Sequence, residues 1–365
     1  MRIVVAMSGG VDSSVAAALL AEQGHDVIGV SMQLYPSTPS GRSGQAPGVP
    51  VSDRAYGTCC TLDDLHDARR VAQAIGFPHY ILNFESRFDE AVVSNFVREY
   101  VAGRTPIPCA HCNSDVKFSA LLERATGFGA GALATGHYAR IVRDEAGTCH
   151  LLRGLDHGKD QSYFLFSLTQ EQMARAMFPV GHLDKETVRT HARRLGLRVA
   201  DKPDSQEICF VPDGDYAAFV EREAPALTRP GAIVSEGGRV LGTHEGVHRF
   251  TIGQRKGLRL SSSDPLYVTH IDAAAARVTV GPKAALGRAS LTASGVNWTS
   301  GTTPAGWRRV AAQIRHRHAA APARVRALDA ARAELEFDEP QTAVTPGQAV
   351  AFYDGDEVVG GGWIE

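Results

Sequence analysis

Residues 2 to 14, Arg-Ile-Val-Val-Ala-Met-Ser-Gly-Gly-Val-Asp-Ser-Ser, constrain the fold more than any other part of the chain. Ile3, Val4, Val5 and Ala6 form an apolar run without alternation. That is the pattern of a strand covered on both faces, which belongs in a parallel sheet flanked by helices. Gly9 and Gly10 permit a tight turn. A helical pattern follows through Val15, Ala16, Leu19 and Leu20, with Ser13 or Ser14 expected as its cap. Backbone amides at such a junction, with the positive end of a helix dipole behind them, receive an anion. The segment therefore predicts an open α/β sheet that holds phosphate at its first strand–helix turn. The alternative is a plain connecting turn, since glycine-serine loops also join strand to helix without binding anything.

The rest of the N-terminal part repeats the strand–helix alternation. Val27–Met32, His79–Phe84 and Ala130–Thr135 read as further strands. Leu62, Leu65, Ala68, Ala72 and Ile75 recur at helical spacing until Gly76 and Pro78 stop the helix, and a second helix carries Phe88, Val92, Phe96 and Tyr100. Residues 36–57 are rich in Pro, Gly and Ser and read as a surface loop, either closing over a ligand or inserted without a role. From Ser167 to Leu197 the pattern is helical, including Met173, Met177, Val188 and Leu195. Beyond Pro203 it changes to short strands with Gly turns, which places a boundary near residue 205. Two β-rich units follow, the second with strands expected at Val310–His316, Ala323–Leu328, Ala333–Phe337, Ala349–Tyr353 and Val358–Ile364.

With 365 residues, 44 % of them hydrophobic and 21 % charged, the chain can bury a core in each of two or three domains. The net charge of −2 argues against indiscriminate nucleic-acid binding but leaves room for a local basic face. No apolar run reaches membrane-spanning length, and the N-terminal apolar stretch is unlike a signal peptide, so a cytosolic protein is expected. Six cysteines, Cys59, Cys60, Cys109, Cys112, Cys149 and Cys209, are too few for a disulfide scaffold. Cys109 and Cys112 stand in a proline-stiffened loop before a helix expected near Ser114. A helix start and Lys117 favour thiolate there, against Asp115. Spacing alone leaves this Cys-x-x-Cys open as half a zinc site or a redox pair. Cys209 lies at the domain boundary, where a segment can reach back over the first domain.

The glycine turn has neither a Gly-Lys-Ser/Thr ending nor Gly-x-Gly-x-x-Gly spacing. It resembles the PP-loop of the ATP-pyrophosphatases. Further segments agree in order with one family of that superfamily: Gly29-Val30-Ser31-Met32, Thr105-Pro106-Ile107-Pro108 through Cys112-Asn113 to Lys117-Phe118, Ala134–Arg140, Lys159–Leu165, Asp204–Phe210, Thr251–Leu258 and the closing Gly360-Gly361-Gly362. Along its whole length the chain resembles the bacterial tRNA-specific 2-thiouridylases, the MnmA family.

The resemblance implies an α/β fold: a parallel-sheet PP-loop nucleotide-binding domain with a helical extension over 1–205, a small central β-rich domain over 206–284, and a C-terminal β-barrel-like domain over 285–365. It implies ATP-dependent 2-thiolation of uridine 34 in tRNA, with AMP and pyrophosphate released. Ala6, Met7, Ser8, Gly9, Gly10, Val11, Asp12 and Ser13 would cradle ATP with magnesium, and Met32 and Gly136 would line the nucleotide pocket. Cys209 would carry persulfide sulfur and Cys112 would free it, with a disulfide between them after transfer. Cys109 stands where many members carry a general acid–base Asp, so that role is vacant or taken by a thiol. Cys109, Cys112 and Cys209 also make a three-thiolate set able to ligate a [4Fe–4S] cluster with one iron open, although such sets also occur without a cluster.

For the nucleic acid, the resemblance implies contacts by Ile107, Pro108, Cys109 and His137 to a flipped base, and by Lys159, Asp160, Gln161, Arg315, His316 and Gln348 elsewhere, with His316 in place of the usual Tyr. The late arginines Arg308, Arg309, Arg315, Arg317, Arg324 and Arg326 are the expected source of local positive charge, and Gln313, Arg315 and Arg317 are expected along one strand face. Arg255 and Lys256 are candidates for further backbone contacts. The implied partners are tRNAs for Lys, Glu and Gln and a cysteine desulfurase or sulfur-relay protein, with no membrane and a monomeric chain. Two rivals remain at this stage. A metabolite-adenylating synthetase would explain the loop but leave the cysteines without a task. A tRNA-binding or iron–sulfur carrier would leave the intact loop unexplained.

Overall fold

The structure, a computed structural model, describes residues 1–35, 62–204, 208–211 and 213–365. The 36–57 loop, Cys59 and Cys60 lie outside the described residues, as do residues 205–207 of the Cys209 segment. The described chain divides into two compact units. One comprises residues 1–92, 109–214 and 356–358, the other 93–108, 215–355 and 359–365.

In the first unit the chain runs through β1 (Arg2–Ala6), α1 (Val11–Glu22), β2 (Asp26–Gln33), α2 (Leu62–Ile75) and β3 (His79–Asn83). A helical run follows: α3 (Glu85–Phe88), a wide π turn (Asp89–Val93) and α4 (Ser94–Val101), which passes into the second unit. The next helix is α5 (Pro108–His111), continued by a π-helical stretch (Cys112–Leu121) and α6 (Leu122–Gly127). Then come β4 (Ala132–Ala134), the hairpin β5 (Ala139–Arg143) and β6 (Cys149–Arg153), α7 (Gln170–Arg175), β7 (Ala176–Met177) and α8 (Lys185–Arg194).

Five strands form a sheet in the order β3-β2-β1-β4-β7, parallel at every junction. Central β1 is the strand read from the sequence, with Ile3, Val4 and Val5 fully buried. It is zipped to β2 by Val5 opposite Gly29 and Ala6 opposite Val30. The core beside it joins Ile3, Val5 and Met7 to Val15 and Leu20 of α1 and Val188 and Ala192 of α8.

The helical reading of Ser167–Leu197 is corrected in its middle. Ala176 and Met177 form an edge strand that pairs with Leu133 and Ala134, so α7 and α8 are separate helices on either side of a fifth strand. Only two residues pair, too few for their period to stand out against flanking helices.

The second unit holds α4, α9 (Tyr216–Glu223) and two β structures. The first comprises β8 (Gly231–Ser235), β9 (Val240–His244), β10 (Tyr267–Asp272) and β11 (Arg277–Gly281), in the order β10-β11-β8-β9. Its core contains Ile233, Phe250, Leu258, Val268 and Val278. The second comprises β12 (Gly287–Asn297), β13 (Arg308–Gln313), β14 (Ala321–Ala327), β15 (Arg332–Thr342), β16 (Ala349–Asp354) and β17 (Glu357–Ile364). The order β12-β15-β14-β13-β16-β17 closes on itself through β12–β17 pairing, which leaves no open edge and makes a six-stranded barrel.

The strand expected over Val310–His316 ends at Gln313, and residues 315–318 turn. Gln313 is buried and its side-chain amide donates to the carbonyls of Arg315 (3.1 Å) and His316 (2.8 Å). Gln313 thus latches the turn from inside, and the expected exposed face of Gln313, Arg315 and Arg317 does not form.

Candidate active site

At the end of β1 the chain turns through Gly9 in the left-handed region (φ 74°), open to glycine without strain. A side chain there would also collide with the Asp64 backbone. α1 starts at Val11 with Gly10 as N-cap and no side-chain cap. The expected capping by Ser13 or Ser14 is therefore corrected. Both hydroxyls lie inside the first turn and donate back to the Gly10 carbonyl, at 3.2 and 2.8 Å. The Ser8 amide donates to Ser13 Oγ at 3.2 Å, so the serines hold the loop's shape and leave the start of α1 without a side-chain cap. Such a helix start offers amides and a positive dipole end to an anion.

The loop after β4 closes the other side. A Cβ on Gly136 would lie 2.5 Å from the Ser13 amide nitrogen and 2.7 Å from the Asp12 carbonyl carbon. Only glycine lets this backbone approach the start of α1. Met32, at the carboxyl end of β2, is buried, so both residues expected to line the nucleotide pocket sit at the carboxyl edge of the sheet.

Charge is dense around the loop, and the sequence reading missed most of it. Asp12 accepts from the Tyr138 hydroxyl (2.8 Å) and from Lys185 Nζ at both oxygens (2.8 and 2.9 Å). Burial and then the Asp12 charge drive the Tyr138 phenol far above its ordinary range, so it stays a donor. Lys185 also meets Asp204 Oδ1 at 2.7 Å, and Lys159 Nζ meets Asp204 Oδ2 at 2.8 Å. Burial pushes the Asp204 carboxyl up, but the bonds from Lys159 and Lys185 outweigh it and hold it ionised below the usual range. Lys202 donates to the Gly9 carbonyl (3.1 Å), Asp64 (2.7 Å) and Asp67 (2.7 Å). Lys185 and Lys202 lie far from the loop in sequence and belong to no local motif, so only the fold reveals them.

The thiols are placed differently from the expectation. The helix starts at Pro108 rather than near Ser114, so Cys109 and Cys112 belong to its opening turns. Proline at a first helical position loses nothing, since that N–H has no partner within the helix. Cys109 is exposed, Cys112 and Cys209 are half-buried, Cys149 is buried, and none of the four is in a disulfide. Asn113 donates to the Phe164 carbonyl (3.3 Å) and accepts from Lys117 (2.9 Å), which fixes the helix beside the 162–165 turn. Among the described residues no three His, Cys, Asp or Glu side chains are grouped to hold a metal ion. Cys109, Cys112 and Cys209 form no such group among the described residues.

His137 is buried, bonded to Thr135 Oγ1 at 2.7 Å, and its ring lies near Phe118 and Phe178. Burial, then the Lys117 charge, pushes its pKa well below the ordinary value, so the imidazole is neutral. Asp160 accepts from Arg153, the Gly154 and Ser162 amides and the Ser162 hydroxyl. Gln161 accepts from the Tyr138 amide at 3.0 Å. These two side chains brace the site from within, and of the Lys159–Gln161 trio only Lys159 is exposed enough to reach outward.

In the second unit, Gln348 donates to the carbonyls of Thr105 (2.9 Å) and Pro106 (3.3 Å), directly before Ile107 and Pro108. Arg308, Arg309, Arg324 and Arg326 are each paired, with Asp354, Asp338, Glu336 and Glu334. Their positive charge is balanced on the barrel itself. Arg324 and Arg326 also lie over the Trp307 ring, each 4.7 Å from its centre.

Residues 1–213 match the tRNA methyl transferase HUP domain family, residues 217–282 the tRNA methyl transferase PRC-barrel domain family, and residues 288–364 the aminomethyltransferase beta-barrel domain family. The chain is 54 % identical to a protein of Geobacter metallireducens over all of its length and 96 % of that relative. It is 54 % identical to one of Solibacter usitatus, covering all of this chain and 99 % of the other. A protein of Geotalea uraniireducens is 52 % identical, with all of this chain and 95 % of the relative covered. All three carry the name tRNA-specific 2-thiouridylase MnmA.

Proposed function

The chain belongs to the tRNA-specific 2-thiouridylase family MnmA, and on that premise we propose that it performs ATP-dependent 2-thiolation of uridine 34 in tRNA. The observation that supports this reading is a glycine loop before an uncapped helix start, closed by Gly136 and sharing one compact unit with Cys109, Cys112 and Cys209.

ATP binds along Ala6–Ser13, its pyrophosphate part at the start of α1 and its nucleoside toward Met32 and Gly136. Magnesium, when bound, offsets the phosphate charge. The C2 oxygen of uridine attacks the α-phosphorus and pyrophosphate leaves. The terminal sulfur of a Cys209 persulfide then adds to C2, and AMP departs with the former oxygen. The Cys112 thiolate attacks Cys209 Sγ, breaking the sulfur–sulfur bond and leaving the thiocarbonyl on the base. The two cysteines end as a disulfide, which an external thiol reduces. No step runs through a cluster.

The tRNA contacts fall to Ile107, Pro108, Cys109, His137, Lys159, Arg315, His316 and Gln348. Asp160 and Gln161 act by holding the frame. Neutral His137 suits hydrogen bonding to an uncharged base. Among the described residues no helix is long and apolar enough to cross a membrane. The reading takes the protein as a cytoplasmic monomer, with tRNAs for Lys, Glu and Gln as substrates and a cysteine desulfurase or relay protein as donor.

The test is nucleoside mass spectrometry of unmodified tRNA incubated with the protein, ATP, magnesium, cysteine and a cysteine desulfurase. 2-Thiouridine is expected only with ATP, and neither Cys112→Ser nor Cys209→Ser should form it. Product without ATP, or undiminished product from either variant, refutes the mechanism.

A further inference from the structure

We infer that Lys202 is a positioning residue for nucleotide binding, which holds the Gly9 carbonyl and so fixes the peptide between Gly9 and Gly10 in the orientation that receives phosphate. The inference rests on the reading of residues 6–13 as the ATP site and names what sets the shape of that loop.

Lys202 follows a short helical turn (Arg198–Asp201), and its backbone is tied on several sides. Its amide donates to the Val199 carbonyl at 3.1 Å. Arg189 donates to the carbonyls of Lys202 (3.2 Å) and Ala200 (2.7 Å). Next to it, Asp201 pairs with Arg193, and Asp204 pairs with Lys159, Lys185 and, at 3.8 Å, Arg189. The root of the side chain is therefore held still. From there the ammonium reaches the Gly9 carbonyl at 3.1 Å, Asp64 Oδ1 at 2.7 Å and Asp67 Oδ2 at 2.7 Å. An ammonium has three protons, so each has an acceptor. Burial works against the charge, but the bonds to the two carboxylates outweigh it and keep Lys202 protonated.

The loop needs such an anchor. Gly9 has to be glycine, because a Cβ there would collide with the Asp64 backbone, and Gly10 follows it with φ −91°. A peptide between two glycines is poorly restrained, since a half-turn of its plane carries Gly10 to positive φ, which glycine takes without strain. A trans peptide is planar, with its carbonyl and the next N–H on opposite sides. Holding the Gly9 carbonyl on Lys202 thus turns the Gly10 amide away from Lys202 and from the carboxylates of Asp64 and Asp67. That opposite side is where an anion can sit, against an amide at the N-cap of α1. A flipped plane would put a carbonyl oxygen there and repel phosphate. With its three protons taken, Lys202 acts through the peptide and not by meeting phosphate itself.

The experiment measures binding of ATP with magnesium by equilibrium dialysis, and stability by urea unfolding, in the full chain. Lys202→Met alone leaves the buried Asp64 carboxylate without its counter-ion and should lower the urea midpoint. Lys202→Met with Asp64→Asn removes that stranded charge, and Asp67 keeps Arg70 at 3.3 Å. This double variant should recover most of the midpoint yet bind ATP about tenfold to a hundredfold more weakly, a split that a purely structural role does not produce. Its crystal structure should show the Gly9 carbonyl turned from its wild-type direction. Arg70→Ala, which leaves all three Lys202 bonds in place, should bind ATP like wild type. Wild-type affinity in the double variant overturns the inference, and so do midpoint and affinity that fall together in both Lys202 variants. Weakened binding with the Gly9 carbonyl unmoved overturns it as well, because the ammonium would then meet phosphate directly. A wild-type chain that binds no ATP refutes the ATP-site reading and this inference with it.

Discussion

Replacing Gly136 with alanine adds a single methyl group, and the structure says where it must go. The new Cβ would lie 2.5 Å from the Ser13 nitrogen, about 0.9 Å closer than the 3.4 Å at which ordinary contact begins. Its other neighbours are the Asp12 carbonyl carbon at 2.7 Å and Ser13 Cα at 2.9 Å. All three are backbone atoms, so no side chain can swing aside, and the start of α1 must move by most of that distance. Overpacking of this kind costs about 1–3 kcal/mol of stability. The larger effect falls on ligand binding, because a shift near 1 Å in positioned groups removes about a hundredfold of their function. Gly136→Ala is expected to weaken ATP binding by about tenfold to a hundredfold in equilibrium dialysis and to lower the urea midpoint. Gly127, at the end of α6, has nothing within 4 Å of its added Cβ, and Gly127→Ala serves as the control with unchanged binding. Wild-type affinity in Gly136→Ala refutes the argument that this close approach shapes the site.

Acid should destabilise the first unit through His79, whose Nε2 lies 2.9 Å from Ser31 Oγ; burial, then Arg69, depresses its pKa to about 4. The folded state refuses a proton that the unfolded state takes below about 6.5, so this contribution is complete above 6.5 and lost as pH falls toward 4. The urea midpoint should drop between pH 7 and 5, and His79→Gln should flatten that dependence; an equally steep slope in the variant would rule this out. Asp160→Ala removes the acceptor of the Arg153, Gly154 and Ser162 donors and should cost about 1–3 kcal/mol in urea unfolding, whereas an unchanged midpoint with selectively weaker tRNA binding would restore Asp160 as a direct contact. Arg315→Ala should lower the salt-dependence slope of tRNA binding by about 1, while Arg324→Ala, whose charge is already balanced by Glu336, should leave it unchanged. The opposite pattern would move the contact onto the barrel wall.

The strand, glycine turn and helix of residues 2–22 were legible because each link is local. An unbroken apolar run, two glycines and a helical repeat determine their own backbone, and the parallel sheet follows from burying both faces of that strand. The agreement of several separate motifs likewise identified the family without coordinates. Local reading erred where a tertiary partner overruled it. Met177 pairs with the sheet because Ala134 offers a free edge. Gln313 turns inward to latch Arg315 and His316, which ends the strand early. The barrel arginines looked like a basic face until cross-strand carboxylates were seen to balance them. Lys185 and Lys202 carried no signal in the chain at all, since an ammonium's role is set by which carboxylates surround it. Sequence alone spaced Cys109 and Cys112 three residues apart and placed two glycines between an apolar strand and a helix. Only the folded chain decided which charges meet there, because electrostatic partners are chosen by distance in space and not by order along the backbone.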